Sequence, residues 1–387
     1  MALNRLKSAR WLWMPLLAFA LTRLGIAAVA YFSTPILADS NIPPYHVRPD
    51  NILLDVFGSR WDTGFYLSIA KEGYRYEGVP LPSVAFFPLL PMIIRAVKNV
   101  TGDALWAGIL VANLTLAAAV VLLYRLVLDR WGETVADRSV WYLLIYPASF
   151  FGSAIYTESL FLLLSIATFF LARRGSWWAA GLTGLLASMT RLVGVILAPV
   201  IVLEWWQQRR KQADLTAQPG WQALAAAALV PAGALVYMLY LKWMAGDPLA
   251  FMRASQAWAR QPRSPFETVS DLLVRPAQGW AAAIGTGALP LDDWLDLLFV
   301  AFFLVLGFVL LRRKQWSEAT YVLLGVIIPF SSGLLMSQRR YMWVLFPAFV
   351  LLAIWGENKW VDRTVTLVSL MGLALFTALF ANWYWVG

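Results

Sequence analysis

The run WLWMPLLAFALTRLGIAAVAY, residues 11–31, decides what kind of chain this is. It is about 20 residues long and apolar but for Thr22 and Arg23, the length that a helix rising 1.5 Å per residue needs to cross a hydrocarbon core of about 30 Å. Arg5, Lys7 and Arg10 precede it, so the excess of cations on the cytoplasmic side predicts an amino end inside and a helix running outward. It has no small-residue cleavage site and reads as a retained first span, not a signal peptide. An arginine inside a span costs about 2.5 to 3.5 kcal/mol on insertion scales. Arg23 therefore faces protein or water near the outer end, or snorkels there.

Outward from that run, the whole chain has the same character. Of 387 residues, 60% are hydrophobic and 14% charged, and the mean hydropathy is +0.64, far from the balance of a soluble domain. The net charge of +9 comes from Lys and Arg spread through short connections between apolar segments, which fits membrane anchoring better than a phosphate-tracking nucleic-acid groove. With Cys 0 and His46 as the single histidine, disulfides, thiolate metal sites, a cysteine nucleophile and a multi-histidine metal site are excluded. Tryptophan, tyrosine and phenylalanine crowd the ends of the apolar runs as interfacial belts do.

Residues 33–83 form a first outer loop. Within it, RWDTGFYLSIAKEGYRY (60–76) places Trp61, Phe65 and Ile69 at four-residue spacing, with Asp62 or Thr63 available to cap a helix and Gly73 to end it. That predicts a short amphipathic helix along the membrane surface, carrying a carboxylate at its start. The run 85–97 has two prolines and about 13 residues, and reads as re-entrant or interfacial. Residues 105–128 return inward. The stretches 139–172 and 177–206 are each roughly 30 residues between basic flanks, too long for one ordinary span and too short for two. Each is expected to be a hairpin of shortened helices, with Tyr156, Thr157 and Glu158 at one midpoint and Thr190 and Arg191 at the other. A charge at such a tip needs water or a partner, so Glu158 and Arg191 are expected to share one cavity.

A basic loop, 207–222, precedes an outward span at 224–243. The second outer loop, 245–290, is followed by spans at 293–311, 318–336, 338–355 and 365–385. The expected fold is all-α: a polytopic integral membrane bundle of about eleven transmembrane segments in a single domain, 1–387. This parity places Arg339 and Arg340 outside, against the charge rule, which marks them as functional candidates.

Six separated stretches then resemble one family, the PIG-V mannosyltransferases. They are RWDTGFYLSIAKEGY (60–74), FFPLLP (86–91), YTESLF (156–161), TRLVG (190–194), GDPLAF (246–251) and RYMWVLFP (340–347), in family order across nearly the whole chain. The resemblance implies a GT-C helical membrane enzyme whose active site lies on the outer or lumenal side. Such an enzyme takes a sugar from a polyprenyl phosphate with the help of an acidic residue in the first outer loop. It also implies a lipid or glycan acceptor, surrounding membrane lipids, no nucleic acid, and an accessory membrane subunit as a partner.

A lipid-phosphate donor calls for a base, cations for the departing phosphate and an apolar groove. Asp62 is the expected catalytic base; its alternative role is a helix cap, and Asp55 is the second candidate acid. Arg339 and Arg340 suit the phosphate because a guanidinium presents a fork of donors and stays charged, although both would also serve as headgroup anchors. Arg191 either joins them or neutralises Glu158. Arg60, Trp61, Tyr66 and Tyr341 are candidates for contact with substrate, the rings by stacking on sugar faces, with membrane belts as the alternative for the aromatics. Gln256 and Trp258 are candidates to line the acceptor. No hydrophilic segment is long enough for a nucleotide-binding domain. Asp292 and Asp293 read as a helix start. No cofactor is expected, with a divalent ion between Asp62 and Glu158 left open. Direct displacement by the acceptor would invert the anomeric centre. The alternative function is a secondary transporter or lipid flippase using Arg23, Glu158 and Arg191 along a pathway. Short cytoplasmic loops favour a prokaryotic plasma membrane over the endoplasmic reticulum.

Overall fold

The computed structural model describes residues 9–40, 42, 49–211, 220–274, 279–286 and 290–387. Arg5, Lys7 and His46 lie outside these residues, as do 212–219 of the basic loop and 275–278 and 287–289 of the second outer loop. Among the described residues the regular structure is helical throughout: α1 Arg10–Ser33, α2 Ile52–Gly58, α3 Thr63–Glu72, α4 Leu89–Thr101, α5 Ala104–Trp131, α6 Glu133–Ile145, α7 Glu158–Arg173, α8 Trp177–Thr190, α9 Leu197–Lys211, α10 Gly220–Leu229, α11 Ala232–Ala245, α12 Ala250–Ser255, α13 Pro265–Val274, α14 Trp280–Thr286, α15 Leu291–Arg312, α16 Trp316–Phe330, α17 Gln338–Met342, α18 Phe346–Trp355 and α19 Lys359–Ala381.

Five stretches are long and apolar enough to cross a membrane alone: α1, α5, the pair α10–α11 taken together, α15 and α19. Charge and length in the sequence had suggested about eleven crossings. The difference lies in helices of 10 to 17 residues, such as α16 and α18, which end at sequence-encoded breaks. Pro329 closes α16 at Phe330, short of the expected Met336, and Pro231 separates α10 from α11. The α4 segment is a 13-residue helix that buries Leu89, Leu90, Pro91 and Ile94 and leaves Met92 exposed.

Both 30-residue stretches are interrupted where their polar residues fall. The first stops at Ile145, because Tyr146 before Pro147 is driven into an extended conformation; a 3-10 turn at Ser149–Gly152 leads back into α7 at Glu158. The second stops at Thr190, with Arg191 extended, and resumes as α9 after the 3-10 turn Leu192–Ile196. Ending a helix inside the bundle strands its last carbonyls. Arg23 answers that need. It donates from Nη1 to the Ser149 carbonyl (2.8 Å) and from Nη2 to the Leu144 carbonyl (3.1 Å), so the arginine of the first span faces protein.

The broken helices are fixed at the opposite end of the bundle. There Arg173 at the end of α7 reaches Glu204 of α9 (3.2 Å) and Glu318 of α16 (2.7 Å), and Arg130 of α5 also meets Glu318 (2.9 Å). At the tip end, Gly108 of α5 lies against Ile155; a Cβ there would stand 2.5 Å from the Ile155 side chain, so glycine lets the turn before α7 seat on α5. At this tip end described parts of the two outer loops meet, Phe65 of α3 against Trp258 (5.5 Å), and beside them Tyr237 of α11 donates its hydroxyl to the Val84 carbonyl (2.8 Å). Phe87 packs against Phe251 of α12 (5.4 Å).

Candidate active site

α3 starts at Thr63 and Asp62 stands just before it, yet the Asp62 carboxylate makes no capping hydrogen bond to the first turn. The start is held by Thr63 Oγ1, which donates to the Arg60 carbonyl (2.8 Å), and by Trp61, whose φ of 53° is left-handed. That conformation is costly for a bulky residue, on the order of 1–3 kcal/mol. Packing of Trp61 against Trp383 (5.7 Å) and Trp385 (5.3 Å) offsets it. The turn swings Asp62 off the helix axis. Its N–H donates to Tyr156 Oη (3.2 Å), and its carboxylate meets Arg340 Nη1 at 3.2 Å across 278 residues of chain.

Arg340 is the centre of a ladder. Its Nε lies 3.3 Å from Glu158 Oε1, and that same oxygen accepts a hydrogen bond from Arg191 Nη1 (2.8 Å). The order Asp62, Arg340, Glu158, Arg191 alternates sign and joins the first loop, α17 and both hairpin tips. Exposure is graded along it: the Glu158 side chain is 2% exposed and Asp62 23%, so the acid at the open end is the one that a substrate can reach. The second oxygen of Glu158, Oε2, is buried without a hydrogen-bond partner among the described residues.

Tyr341 lies under three guanidiniums: Arg191 at 4.7 Å, Arg340 at 5.2 Å and Arg260 at 5.6 Å from the ring centre. Burial pushes its phenol up, but the charges of Arg260, Arg340 and Arg191 outweigh burial and leave it below its ordinary value. Tyr66, on the inner face of α3, goes the other way: burial, then the charges of Glu158 and Asp62, push its phenol up and keep it neutral.

The remaining candidates divide. Arg339, expected beside Arg340 on the phosphate, is turned away from the pocket. Its backbone N–H and its Nε both donate to Asp296 Oδ1 (2.8 Å each), and its Nη2 pairs with Asp292. It neutralises α15 inside the bundle, and Asp292, beyond starting that helix, serves as its partner. Asp55 and Arg60 form a buried pair (2.5 Å), with Arg60 over the Trp383 ring (4.4 Å), so the second candidate acid and the candidate contact Arg60 secure each other. Trp258 packs on Phe65 of α3 (5.5 Å) and on Phe86 (5.6 Å), beside the acid-bearing helix, while Gln256 is exposed. Three contributors were not among the sequence candidates. Arg260 carried the signal of a loop cation with no acid beside it in the sequence. Trp383 and Trp385 had only their place at the end of the last apolar run.

Shortened helices that bring two carboxylates and three guanidiniums under shared loops define a polytopic all-α membrane protein with a charged recess at one end of its bundle. Residues 27–218, just under half of the chain, match the family profile described as Mannosyltransferase (PIG-V). The match takes in the first four quoted motifs. GPI alpha-1,6-mannosyltransferase 2 of Mus musculus is 32% identical over 178 residues, 41% of this chain and 35% of that protein. The same enzyme of Cricetulus griseus is 31% identical over 180 residues, 43% and 34% of the two chains. The matched region thus spans about a third of the length of these relatives. In three dimensions the chain is similar to ArnT from Cupriavidus metallidurans bound to undecaprenyl phosphate. The TM-score is 0.51 at 13% identity, covering 95% of this chain and 76% of that one, and the fold is of this GT-C type.

Proposed function

We propose that this protein is a membrane glycosyltransferase that moves a hexose, mannose by its likeness to the matched profile, from a polyprenyl-phosphate donor to a lipid or glycan acceptor on the outer face of the membrane. The observation that carries the proposal is Asp62: an acid at a helix start that leaves its capping role unfilled and meets Arg340 in a recess. In this mechanism the Asp62 carboxylate takes the proton of the acceptor hydroxyl as that oxygen attacks the anomeric carbon. The bond from that carbon to the phosphate oxygen breaks, its electron pair leaves with the phosphate, and the anomeric centre inverts. Arg340 and Arg191 face the departing phosphate with rigid donor forks. Glu158 holds both in place through one oxygen. In this structure the cation that stands between Asp62 and Glu158 is the Arg340 guanidinium.

The transporter alternative gains nothing from the geometry, because Arg23 is engaged by helix-end carbonyls and the Glu158–Arg191 pair is built into the ladder. The test is direct. Purified protein is incubated with radiolabelled polyprenyl-phosphate mannose and a panel of lipid and glycan acceptors, and the products are separated and sequenced. Transfer with inversion supports the proposal; an intact donor with every acceptor refutes it.

A further inference from the structure

The donor-phosphate site, as read above, includes two cations, and both already face carboxylates. Counted over the ladder alone, Arg340 and Arg191 against Asp62 and Glu158 leave no charge to spare. A third guanidinium reaches the same tyrosine ring from the second outer loop. Among the described residues Arg260 hydrogen-bonds only to neutral acceptors, Ser332 Oγ (3.0 Å) and the Met336 carbonyl (3.3 Å), and pairs with no carboxylate.

Its position is built by the backbone. Ala259, in the left-handed region at φ 57°, reverses the chain after the 3-10 turn Gln256–Trp258. The following residues then clip onto the loop after α16. Gln261 N–H donates to the Ser332 carbonyl (3.0 Å) and Arg263 N–H to the Ser331 carbonyl (2.9 Å). Gly333 makes the approach possible. Its φ is +77°, and a Cβ there would stand 2.9 Å from the Gln261 carbonyl oxygen and 3.2 Å from Arg263 Cβ.

We infer that Arg260 is a donor-binding residue: the cation that holds the phosphate of the polyprenyl-phosphate donor and, after transfer, of the released polyprenyl phosphate. This assigns the second outer loop to the donor side, where the sequence suggested an acceptor role for Gln256 and Trp258. Charge accounting supports it. With Arg260 the recess has three positive and two negative groups, and the single negative charge of the bound phosphodiester brings it to neutrality. During transfer Asp62 is neutralised by the acceptor proton while the phosphate gains a second negative charge, so neutrality is kept. Without Arg260 one negative charge is in excess at every stage, which penalises donor and product alike. The inference rests on the donor proposed above.

The test is equilibrium binding of a long-chain polyprenyl monophosphate to the detergent-purified full chain, without acceptor, with the uncharged polyprenol as control. A charge-assisted hydrogen bond to phosphate is worth about 1.5–3 kcal/mol, so Arg260→Gln should weaken binding of the monophosphate by roughly tenfold to a hundredfold and leave the polyprenol unchanged. Arg260→Lys should fall between the two. Gly333→Ala, which opens the clip without touching any charge, should also weaken the monophosphate. If the wild type binds the monophosphate and both Arg260→Gln and Gly333→Ala bind it within twofold as well, the inference falls and the proposed reaction stands. If the wild type shows no preference for the monophosphate over polyprenol, the donor reading falls, and this inference with it. Should Arg260→Gln not fold, Arg260→Lys and Gly333→Ala decide the matter by the same thresholds.

Discussion

Replacing Asp62 by asparagine removes one negative charge from the recess and almost no volume. The structure says what that leaves behind. Arg340 keeps Glu158 as a partner at 3.3 Å, Thr63 still closes the turn on the Arg60 carbonyl, and no helix cap is lost because Asp62 forms none. The ion pair that disappears is partly exposed, with Asp62 at 23%, so the cost to folding should be about 1 kcal/mol or less. The cost to turnover should be far larger. Loss of a general base reduces the rate by about a hundredfold to ten-thousandfold, or about 2.7 to 5.4 kcal/mol of barrier. Donor affinity should move the opposite way, because the recess gains positive charge and Arg340 is released toward the phosphate. The assay is initial-rate transfer from labelled polyprenyl-phosphate mannose over a range of donor concentrations, with thermal unfolding in detergent as the check on folding. A well-folded Asp62→Asn protein with kcat within tenfold of wild type would refute the assignment. So would a raised donor KM with kcat unchanged, which would make Asp62 a binding group.

Two adjacent arginines should respond differently to mutation. Asp296→Ala leaves Arg339 buried beside a missing partner and should destabilise the protein by about 3–5 kcal/mol, seen as a large drop in Tm, without a specific loss of donor affinity in the folded fraction. Arg340→Gln should abolish donor binding, and Arg340→Lys should rescue it poorly, since one ammonium cannot span Asp62 and Glu158 as the fork does. The Tyr341 phenol, held below its ordinary value of about 10, should ionise at a lower pH than a free tyrosine and add a negative charge among the three guanidiniums. Donor affinity should therefore fall as pH rises through that lowered value, and Tyr341→Phe should flatten this limb. Because the folded state releases this proton more readily than the unfolded chain, the same ionisation contributes stability that grows with pH up to about 10 and is lost as pH falls. The absence of native cysteine makes sidedness measurable: Gln256→Cys should react with an impermeant thiol reagent only from outside the cell and Arg313→Cys only from inside, and reaction of both from one face would overturn the proposed orientation.

The broken helices were legible because length and charge both act locally. Thirty apolar residues between basic flanks cannot make one span or two, and polar residues collect where a hairpin must turn, which is where α7 begins and α8 ends. The pairing of Glu158 with Arg191 follows from the same constraint. The division of labour between Arg339 and Arg340 was not legible. Successive residues on a helix point about 100° apart, so one looks to α15 and the other to the recess, and identical side chains carry no mark of which is which. Arg260, Trp383 and Trp385 escaped for a related reason: their partners come from turns and packing that place distant segments side by side. That the Asp62 carboxylate meets Arg340 and does not cap α3 goes with the left-handed backbone at Trp61, a conformation that a tryptophan in sequence does not announce.

The unequal lengths of α5 and α7 have one more consequence. They leave the same ion cluster around Glu318 and run the same way through the bundle, but α5 has 28 residues and α7 has 16. At 1.5 Å per residue they are about 42 Å and about 24 Å long, so α5 continues roughly 18 Å past the level of Glu158. The acid-bearing loop docks on that extra length, with Gly58 of α2 against Leu105 and the turn before α7 against Gly108. The overhang of α5 is thus the post on which the first loop is mounted, and its length sets how high Asp62 stands above Glu158.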